Sequence, residues 1–310
     1  MEDDHSIGLE GRKAFVGVFD GHNGDRCARW TAANMARSLA RVGEFSDDEI
    51  KSACLRLDRD YLRTFGQGGS TATFVLLDTD AADGDIDIII GNIGDSRVIM
   101  SRGSEAVSLT KDHRVDNETE LQRIISAGGF IANGRVDGIL APTRALGDGM
   151  FKGNAELQQT EQKVSAEPEI FRSRLAHGDF IFLGCDGIFE SFSNEDVVMF
   201  VRDALETDLA ADPALVVASL LDEALCRGSR DNMTAILLLP QEGRSYNQEE
   251  REYLPGTYSG DSNEACSQKQ DFLNAYQQHA THHGFTVPQS LELAKKNRLK
   301  GYYPRICFAH

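Results

Sequence analysis

Residues 15–22 read Phe-Val-Gly-Val-Phe-Asp-Gly-His, an apolar run that ends abruptly in a carboxylate, a glycine and an imidazole. The apolar run predicts a strand over Lys13–Phe19, and the Asp-Gly pair predicts a turn directly after it. Residues 180–187 repeat this form as Phe-Ile-Phe-Leu-Gly-Cys-Asp-Gly, and residues 88–95 end a third apolar run at Asp95. The sequence therefore predicts several carboxylates that loops present at the ends of strands.

The segments around these runs alternate between helix and strand patterns. Apolar residues from Ala28 to Val42 recur at steps of three and four, which predicts an amphipathic helix. Further helices are expected behind the capping sequences Ser46–Glu49, Asn117–Glu120, Ser193–Asp196 and Asp212-Pro213. Strands over 71–77, 86–90 and 97–100 are expected to form an antiparallel meander, with a turn at Asp83-Gly84. Hairpin strands with paired helices between them favour an α+β fold of stacked antiparallel sheets flanked by helices over a doubly wound parallel sheet.

Charge and composition narrow the class of protein. The 310 residues carry a formal net charge of −17, which argues against a nucleic-acid-binding protein. Residues 241–310 hold eight basic and eight acidic side chains, so residues 1–240 carry all of the surplus, and a domain boundary is predicted near Pro240. No apolar stretch is long enough to predict a membrane span, and no signal peptide is recognisable. Six scattered cysteines favour a reducing compartment, cytoplasmic or nuclear.

The carboxylates at strand ends allow two interpretations. Any one of Asp20, Asp95, Asp186 and Asp231 is best explained as an ordinary turn residue. Together with Glu2-Asp3, they form an oxygen-only set that would repel unless cations lay between them, and such donors suit Mg²⁺ or Mn²⁺ better than zinc. His22, beside Asp20, is then a candidate general acid, with a surface or capping histidine as the alternative.

Eight motifs in order carry a family resemblance. They are Met1–Asp3, Val18–Gly24, Gly69–Ala72, Gly91–Arg97, Leu109–His113, Thr143–Asp148, Cys185–Gly187 and Ser229–Asn232. In these motifs residues 1–240 resemble the type 2C, metal-dependent Ser/Thr protein phosphatases. The resemblance implies a four-layer αββα sandwich with a two-metal site at one edge of its paired sheets.

The resemblance also implies roles for individual residues. Asp20 would bridge two cations, Mg²⁺ or Mn²⁺, with Asp186 and Asp231 completing one coordination sphere. Glu2 and the Gly21 carbonyl would complete the other. Asp95 with Asp186 would hold a weaker third ion, and His22 would protonate the leaving alkoxide. The resemblance also implies supporting roles around the metal ligands for Asp3, Glu190 and Asn232. It places Thr71 and Arg144 near the active site and flap.

The implied reaction is hydrolysis of phosphoserine and phosphothreonine in phosphoprotein substrates, by direct attack of a water or hydroxide that bridges the metals. The alternative is a pseudophosphatase that binds phosphoproteins without turnover, and the retained carboxylates favour the enzyme. A monomer is expected. The family places a phosphate-binding Arg shortly before the Met1–Asp3 motif, so the chain is expected to be truncated there.

Two further stretches depart from the family pattern or extend beyond it. Phe189-Glu190 stands where Trp-Asp is commoner, and residues 147–168 match the family's flap only loosely. The C-terminal extension, residues 241–310, is expected to contain helices over 268–282 and 290–299. Its last four residues, Cys307 to His310, have the spacing of a prenylation box, although Phe and His are unusual there.

Overall fold

A computed structural model describes residues 1–10, 13–42, 45–78, 85–207, 213–240 and 286. The described residues divide into two compact units. The larger is built from residues 2–189 and 232–240, and the smaller mainly from residues 190–231.

A five-stranded antiparallel sheet forms the first layer of the larger unit, in the order β1-β2-β5-β6-β12. The predicted strand over Lys13–Phe19 is confirmed as β2, at the second position of this sheet. Its alternate residues Phe15 and Phe19 enter the core, where Phe15 stacks on Phe74. The strands are β1 Asp4–Glu10, β2 Lys13–Phe19, β5 Ala72–Asp78, β6 Ile86–Ile93 and β12 Glu169–Leu175.

A second, four-stranded antiparallel sheet has the order β14-β13-β7-β8. It packs face to face with the first, since β2 contacts β13 and β14 while β5 contacts β7. Its strands are β7 Arg97–Arg102, β8 Glu105–Ser108, β13 Phe180–Gly184 and β14 Ala235–Leu238.

The predicted meander is only half right. Strands β5 and β6 do pair antiparallel, but β7 leaves the first sheet and joins the second. The physical reason is that β12 takes the other edge of β6, while a turn at Gly94, with φ of +110°, carries the chain across to the second sheet. Asp83-Gly84, where the hairpin turn was predicted, lies outside the described residues.

Two long helices cover the outer face of the first sheet. The predicted helices over this region are confirmed as α1 and α2; α1 packs on β1 and β2, and α2 packs on α1. The apolar face of α2, from Ile50 to Tyr61, is buried. The α+β class with antiparallel sheets and flanking helices is thereby confirmed. The helices of the larger unit are α1 Arg26–Ala40, α2 Asp47–Thr64, α3 Glu118–Ser126 and the single turn α4 Asp186–Phe189.

Short strand pairs bring the loops at the sheet edge together. The pairs β3–β4 and β4–β11 join the segment after β2 to the segments before β5 and around Gly147. The small hairpin β9–β10 follows α3. These short strands are β3 Gly21–His22, β4 Gly69–Ser70, β9 Ile131–Ala132, β10 Arg135–Val136 and β11 Leu146–Gly147.

The smaller unit contains two helices that pack on each other, α5 Asn194–Thr207 and α6 Pro213–Cys226. The predicted capping box before α5 is confirmed: the Asp196 amide donates to Ser193 Oγ and the Ser193 amide to Asp196 Oδ2, each at 3.1 Å. Pro213 is the first residue of α6, as predicted.

The carboxyl group of Asp222 should give the free energy of unfolding an unusual dependence on pH. Burial in α6 raises its pKa from 3.8 to about 7, so the folded chain binds a proton between those values that the unfolded chain has lost. Stability must therefore fall as pH rises from about 4 to about 7. Asp222→Asn should raise the free energy of unfolding at pH 8 by about 1–2 kcal/mol and change it little at pH 4.

Urea unfolding of the full chain at several pH values measures this effect. Asp203→Asn, an exposed carboxylate on α5, is the control for loss of one negative charge. Equal effects of the Asp222 change at pH 4 and pH 8 would contradict the prediction.

Among the described residues, no helix is long and apolar enough to cross a membrane. The expected C-terminal helices and the terminal Cys307 lie outside the described residues. The boundary near Pro240 stays a prediction.

Candidate active site

Asp20, at the end of β2, is held through its backbone by Thr71. The Asp20 amide donates to Thr71 Oγ1 at 3.1 Å, and the Thr71 amide donates to the Asp20 carbonyl at 2.9 Å. The Thr71 hydroxyl also contacts Ser96 Oγ at 2.8 Å. Thr71 is buried, so the structure places it as a support for Asp20.

Glu2 and Asp3 lie opposite the Asp20–Gly21 turn because β1 pairs with β2 up to Asp4 and Phe19. Glu2 Oε1 accepts from the Gly24 amide at 2.7 Å, and the Glu2 amide donates to the Asn232 side chain. A side chain at Gly21 would overlap the Glu2 carbonyl, so this close backbone approach requires glycine.

Asp3, Asp20 and Asp186 come from three separate segments, and the charge of each acts on the buried Cys185 thiol. Asp3 is buried, and its Oδ2 accepts from the Thr234 hydroxyl at 3.0 Å. Asp186 begins α4 and follows Cys185, whose thiol is fully buried. Burial raises the pKa of that thiol well above its ordinary value, and the nearby charges of Asp3, Asp20 and Asp186 raise it further. The raised pKa keeps Cys185 in its unreactive thiol form.

Asp95 reaches the same region from the turn between β6 and β7. Its side chain is buried, and Arg114 Nη2 lies 2.9 Å from Asp95 Oδ2 and 3.2 Å from Asp186 Oδ2. Burial, and then the Asp186 charge, raise the pKa of Asp95 to about 7, although Arg114 opposes them. The predicted pair of carboxylates for a third ion is thus brought together, with a guanidinium between them.

His22 contacts a residue that the sequence analysis did not single out. Its Nε2 lies 2.7 Å from Oδ2 of Asp148, which is 4% exposed. A carboxylate only accepts, so His22 Nε2 carries the hydrogen and Nδ1 is the nitrogen left for another partner. Gly69 covers the pair, and a side chain there would overlap both partners. Asp148 is the last residue of the Thr143–Asp148 motif, and its place in that motif is the sequence signal that could have identified it.

A buried ion pair holds the loop that carries Asp148. Lys152 Nζ lies 2.8 Å from Asp58 Oδ1 and donates to the Ala145 carbonyl at 2.7 Å. The Gly147 amide donates to the same Asp58 oxygen at 2.7 Å. Asp148 itself has a left-handed backbone, with φ of +53°. The loop is therefore anchored on α2 at both sides of the residue that contacts His22.

Arg144, expected near the substrate or flap, is held inside the protein. Its guanidinium donates to Glu120 Oε1 from both Nε and Nη2, at 3.0 and 2.7 Å, and Nη1 donates to the Glu167 carbonyl at 2.8 Å. Glu120 also accepts from the Thr143 hydroxyl at 2.7 Å and pairs with Arg123. The structure places Arg144 in a structural ion network under this region.

Two predicted residues belong to the smaller unit. Asp231 is exposed and directly precedes Asn232, whose side chain accepts from the Glu2 amide. Glu190 is also exposed and directly follows α4. Among the residues that the structure describes, no group of three His, Cys, Asp or Glu side chains already has the arrangement of a metal site. Carboxylate oxygens such as those of Asp20, Asp95 and Asp186 are nevertheless the donor type that a hard divalent cation prefers.

Facing antiparallel sheets, oxygen donors at strand ends and a histidine held by a carboxylate fit the class of metal-dependent hydrolases. The family model described as Protein phosphatase 2C matches residues 1–233. The chain belongs to this family, and the resemblance found in the eight motifs is confirmed. Its members are protein phosphatases, which hydrolyse phosphomonoesters of serine and threonine, and the family is generally dependent on Mg²⁺ or Mn²⁺.

Individual relatives agree with the family assignment. A probable protein phosphatase 2C of Caenorhabditis elegans is 36% identical over 264 residues, which cover 79% of this chain and 72% of the relative. Probable protein phosphatase 2C 11 of Arabidopsis thaliana is 38% identical over 235 residues, covering 73% of this chain and 58% of the relative. The crystal structure of a Toxoplasma gondii phosphatase superposes with a TM-score of 0.73 at 27% identity, covering 77% of this chain and 88% of that one.

Proposed function

We propose that this chain is an active, metal-dependent protein Ser/Thr phosphatase that hydrolyses phosphoserine and phosphothreonine in proteins by direct attack of water on phosphorus. The carboxylates of Asp95 and Asp186, which lie 2.9 and 3.2 Å from one nitrogen of Arg114, carry the proposal together with the family match. A carboxylate cluster of this kind has no evident packing purpose, since like charges in a buried site repel each other.

The donor residues divide between two cations, Mg²⁺ or Mn²⁺. Asp20, Asp186 and Asp231 would hold one ion, and Glu2, Asp20 and the Gly21 carbonyl the other. When bound, such ions supply Lewis acidity toward the phosphoryl oxygens and lower the pKa of water. In the structure Glu2 Oε1 accepts from the Gly24 amide, and Asp186 Oδ2 accepts from Arg114.

Asp3 and Asn232 orient this donor set. Asp3 is fixed by Thr234, and Asn232 holds the Glu2 backbone. Thr71 fixes the backbone of Asp20 from both sides, which limits the positions that its carboxylate can take. These contacts support a preorganised site, in which little reorganisation is left for the reaction.

His22 supplies the proton for the leaving group. The alkoxide of serine or threonine is a poor leaving group, so protonation of its oxygen lowers the barrier. Because Asp148 occupies Nε2, the proton passes from Nδ1, and the Asp148 carboxylate stabilises the ring while it is doubly protonated. The buried thiols of Cys27, Cys54 and Cys185 do not serve as nucleophiles, since burial raises the pKa of each.

A pseudophosphatase that binds phosphoproteins without turnover is the second candidate. The proposed donors Glu2, Asp20, Asp186 and Asp231 are all present in the sequence, which favours the enzyme. Phosphorylated proteins are the partners in either case. We also propose a monomer in the cytoplasm or nucleus.

Phosphate release from a phosphothreonine peptide and from p-nitrophenyl phosphate tests the function. The full chain should turn both over in Mn²⁺ or Mg²⁺, and EDTA should abolish the activity. Asp20→Asn should lower kcat by about 10³-fold or more, since it removes a ligand shared by both ions. Asp87→Asn, an exposed carboxylate on β6, is the matched control. Turnover without metal would refute the mechanism, and peptide binding without phosphate release would identify a pseudophosphatase.

A further inference from the structure

Arg114 occupies a position between two carboxylates that the proposed function assigns to a metal ion. It lies in the loop between β8 and α3, and a single nitrogen, Nη2, contacts both Asp95 Oδ2 and Asp186 Oδ2. The Arg114 Nε atom lies 3.8 Å from Asp112 Oδ2, and Asp112 is itself bound by both Nε and Nη2 of Arg97. The guanidinium therefore belongs to the Asp95–Asp186 pair more than to Asp112.

The three side chains differ in how freely they can move. The Asp95 side chain is 3% exposed and the Asp186 side chain 21%, whereas the Arg114 side chain is 42% exposed. The carboxylates are thus fixed by the sheet ends, while the guanidinium enters from the solvent side on a long, flexible stem. It can return to water without unfolding any element.

We propose that Arg114 is a built-in competitor for a divalent cation at the Asp95–Asp186 pair. Guanidinium and ion exclude each other there, because both need the same carboxylate oxygens and their charges repel. The inference rests on the proposed function only for the idea that a third ion binds at this pair. Its consequence is that this chain takes up a third ion more weakly than the carboxylates alone would allow.

A purely structural ion pair makes a different prediction. If Arg114 served stability alone, its removal would lower the free energy of unfolding and leave metal affinity unchanged. Competition instead links the binding of the guanidinium to the binding of the ion at the same carboxylates. Removal of the guanidinium must therefore raise the affinity for the ion.

Mn²⁺ binding to the full chain, without substrate, tests the competition. Calorimetry and electron paramagnetic resonance give the affinity and number of bound ions for the wild type, Arg114→Met and Arg114→Lys. The weakest class of site should tighten by at least about fivefold in Arg114→Met. Arg114→Lys keeps the charge without the planar fork, so its affinity at this site should lie between those of the wild type and Arg114→Met. It serves as the second variant if Arg114→Met fails to fold.

Two controls locate the effect. Arg174→Met removes an exposed guanidinium that pairs with Asp87, and it should leave every class of site unchanged. Adding Asp95→Asn to Arg114→Met should cancel the gain. An identical weakest-class affinity in the wild type and both Arg114 variants would overturn the proposal. Failure of the proposed function would look different, since the wild type would then release no phosphate from p-nitrophenyl phosphate whatever the affinities.

Discussion

Asp148→Asn should lower kcat for a phosphothreonine peptide by about 10²-fold while lowering kcat for p-nitrophenyl phosphate by less than about threefold. The two substrates differ in the leaving group. Threonine leaves as a basic alkoxide that needs a proton, whereas p-nitrophenolate leaves readily without one. A change that disables only the proton donor therefore separates the two reactions.

The reason lies in the contact between His22 Nε2 and Asp148 Oδ2 at 2.7 Å. Asn in place of Asp148 offers no charge to a doubly protonated ring, and its amide nitrogen, which only donates, favours a ring without hydrogen on Nε2. Asp148 acts through His22, so it is a positioning residue. KM for the peptide should change little, since Asp148 is buried beneath Gly69.

Three comparisons make the test specific. Asp148→Glu should recover part of the peptide activity, because it restores a carboxylate. Gly69→Ala should reproduce the selective loss, since its methyl group would overlap both His22 Nε2 and Asp148 Oδ2. Lys163→Met, which removes a cation that pairs with Asp137, should affect neither substrate. Equal losses on both substrates in Asp148→Asn would contradict the positioning role and indicate general damage to the site.

Most of the elements could be predicted because their signals are local. The apolar run before Asp20 predicts β2, the apolar period from Ala28 to Val42 predicts the buried face of α1, and the capping sequence at Ser46 predicts the start of α2. Sheet membership is not local, and for that reason β7 was misplaced: whether a strand pairs with its neighbour depends on which distant strand, here β12, takes the free edge.

Capping sequences likewise predict where a helix starts but not which distant residues their side chains contact. Asn117 caps α3 as predicted, with its Oδ1 accepting from the Thr119 amide at 3.1 Å. Glu120, the expected acidic partner in that cap, turns inward to Arg144, which lies 24 residues away along the chain. At Ser46 the hydroxyl donates to Glu49 at 3.0 Å, although the predicted helix still begins at Asp47. The helix start is encoded locally, whereas the partner of each carboxylate depends on the tertiary fold.

The candidate site follows the same rule. Glu2, Asp20 and Asp186 could be proposed because family motifs mark them. Asp148 and Arg114 escaped notice because each acquires its significance from one long-range contact, to His22 and to Asp95 respectively. The motif of Arg144, by contrast, predicts a place near the substrate, and only its contacts show that its guanidinium binds Glu120 and Glu167.

Glu120→Gln should lower the free energy of unfolding at pH 7 by about 3–5 kcal/mol, because it leaves the buried Arg144 guanidinium without its main counter-charge. Burial alone would raise the pKa of Glu120, but Arg144, Arg123 and the Thr143 hydroxyl overcome this and hold the pKa at about 2. The lowered pKa means that this stabilisation is fully present above about pH 4.5 and disappears as pH falls toward 2. Urea unfolding of the wild type and Glu120→Gln should therefore converge in acid.

A double-mutant cycle decides between a structural and a substrate-binding Arg144. Arg144→Met added to Glu120→Gln should restore part of the lost stability, because the uncompensated charge is gone. Arg174→Met, at an exposed ion pair, should cost less than about 0.5 kcal/mol. If Arg144 bound substrate phosphate instead, Arg144→Met would raise KM for the phosphothreonine peptide while stability stayed at the wild-type value. Because both edges of the guanidinium are already bound to Glu120 and Glu167, we expect Arg144→Met to lower stability and not to raise KM.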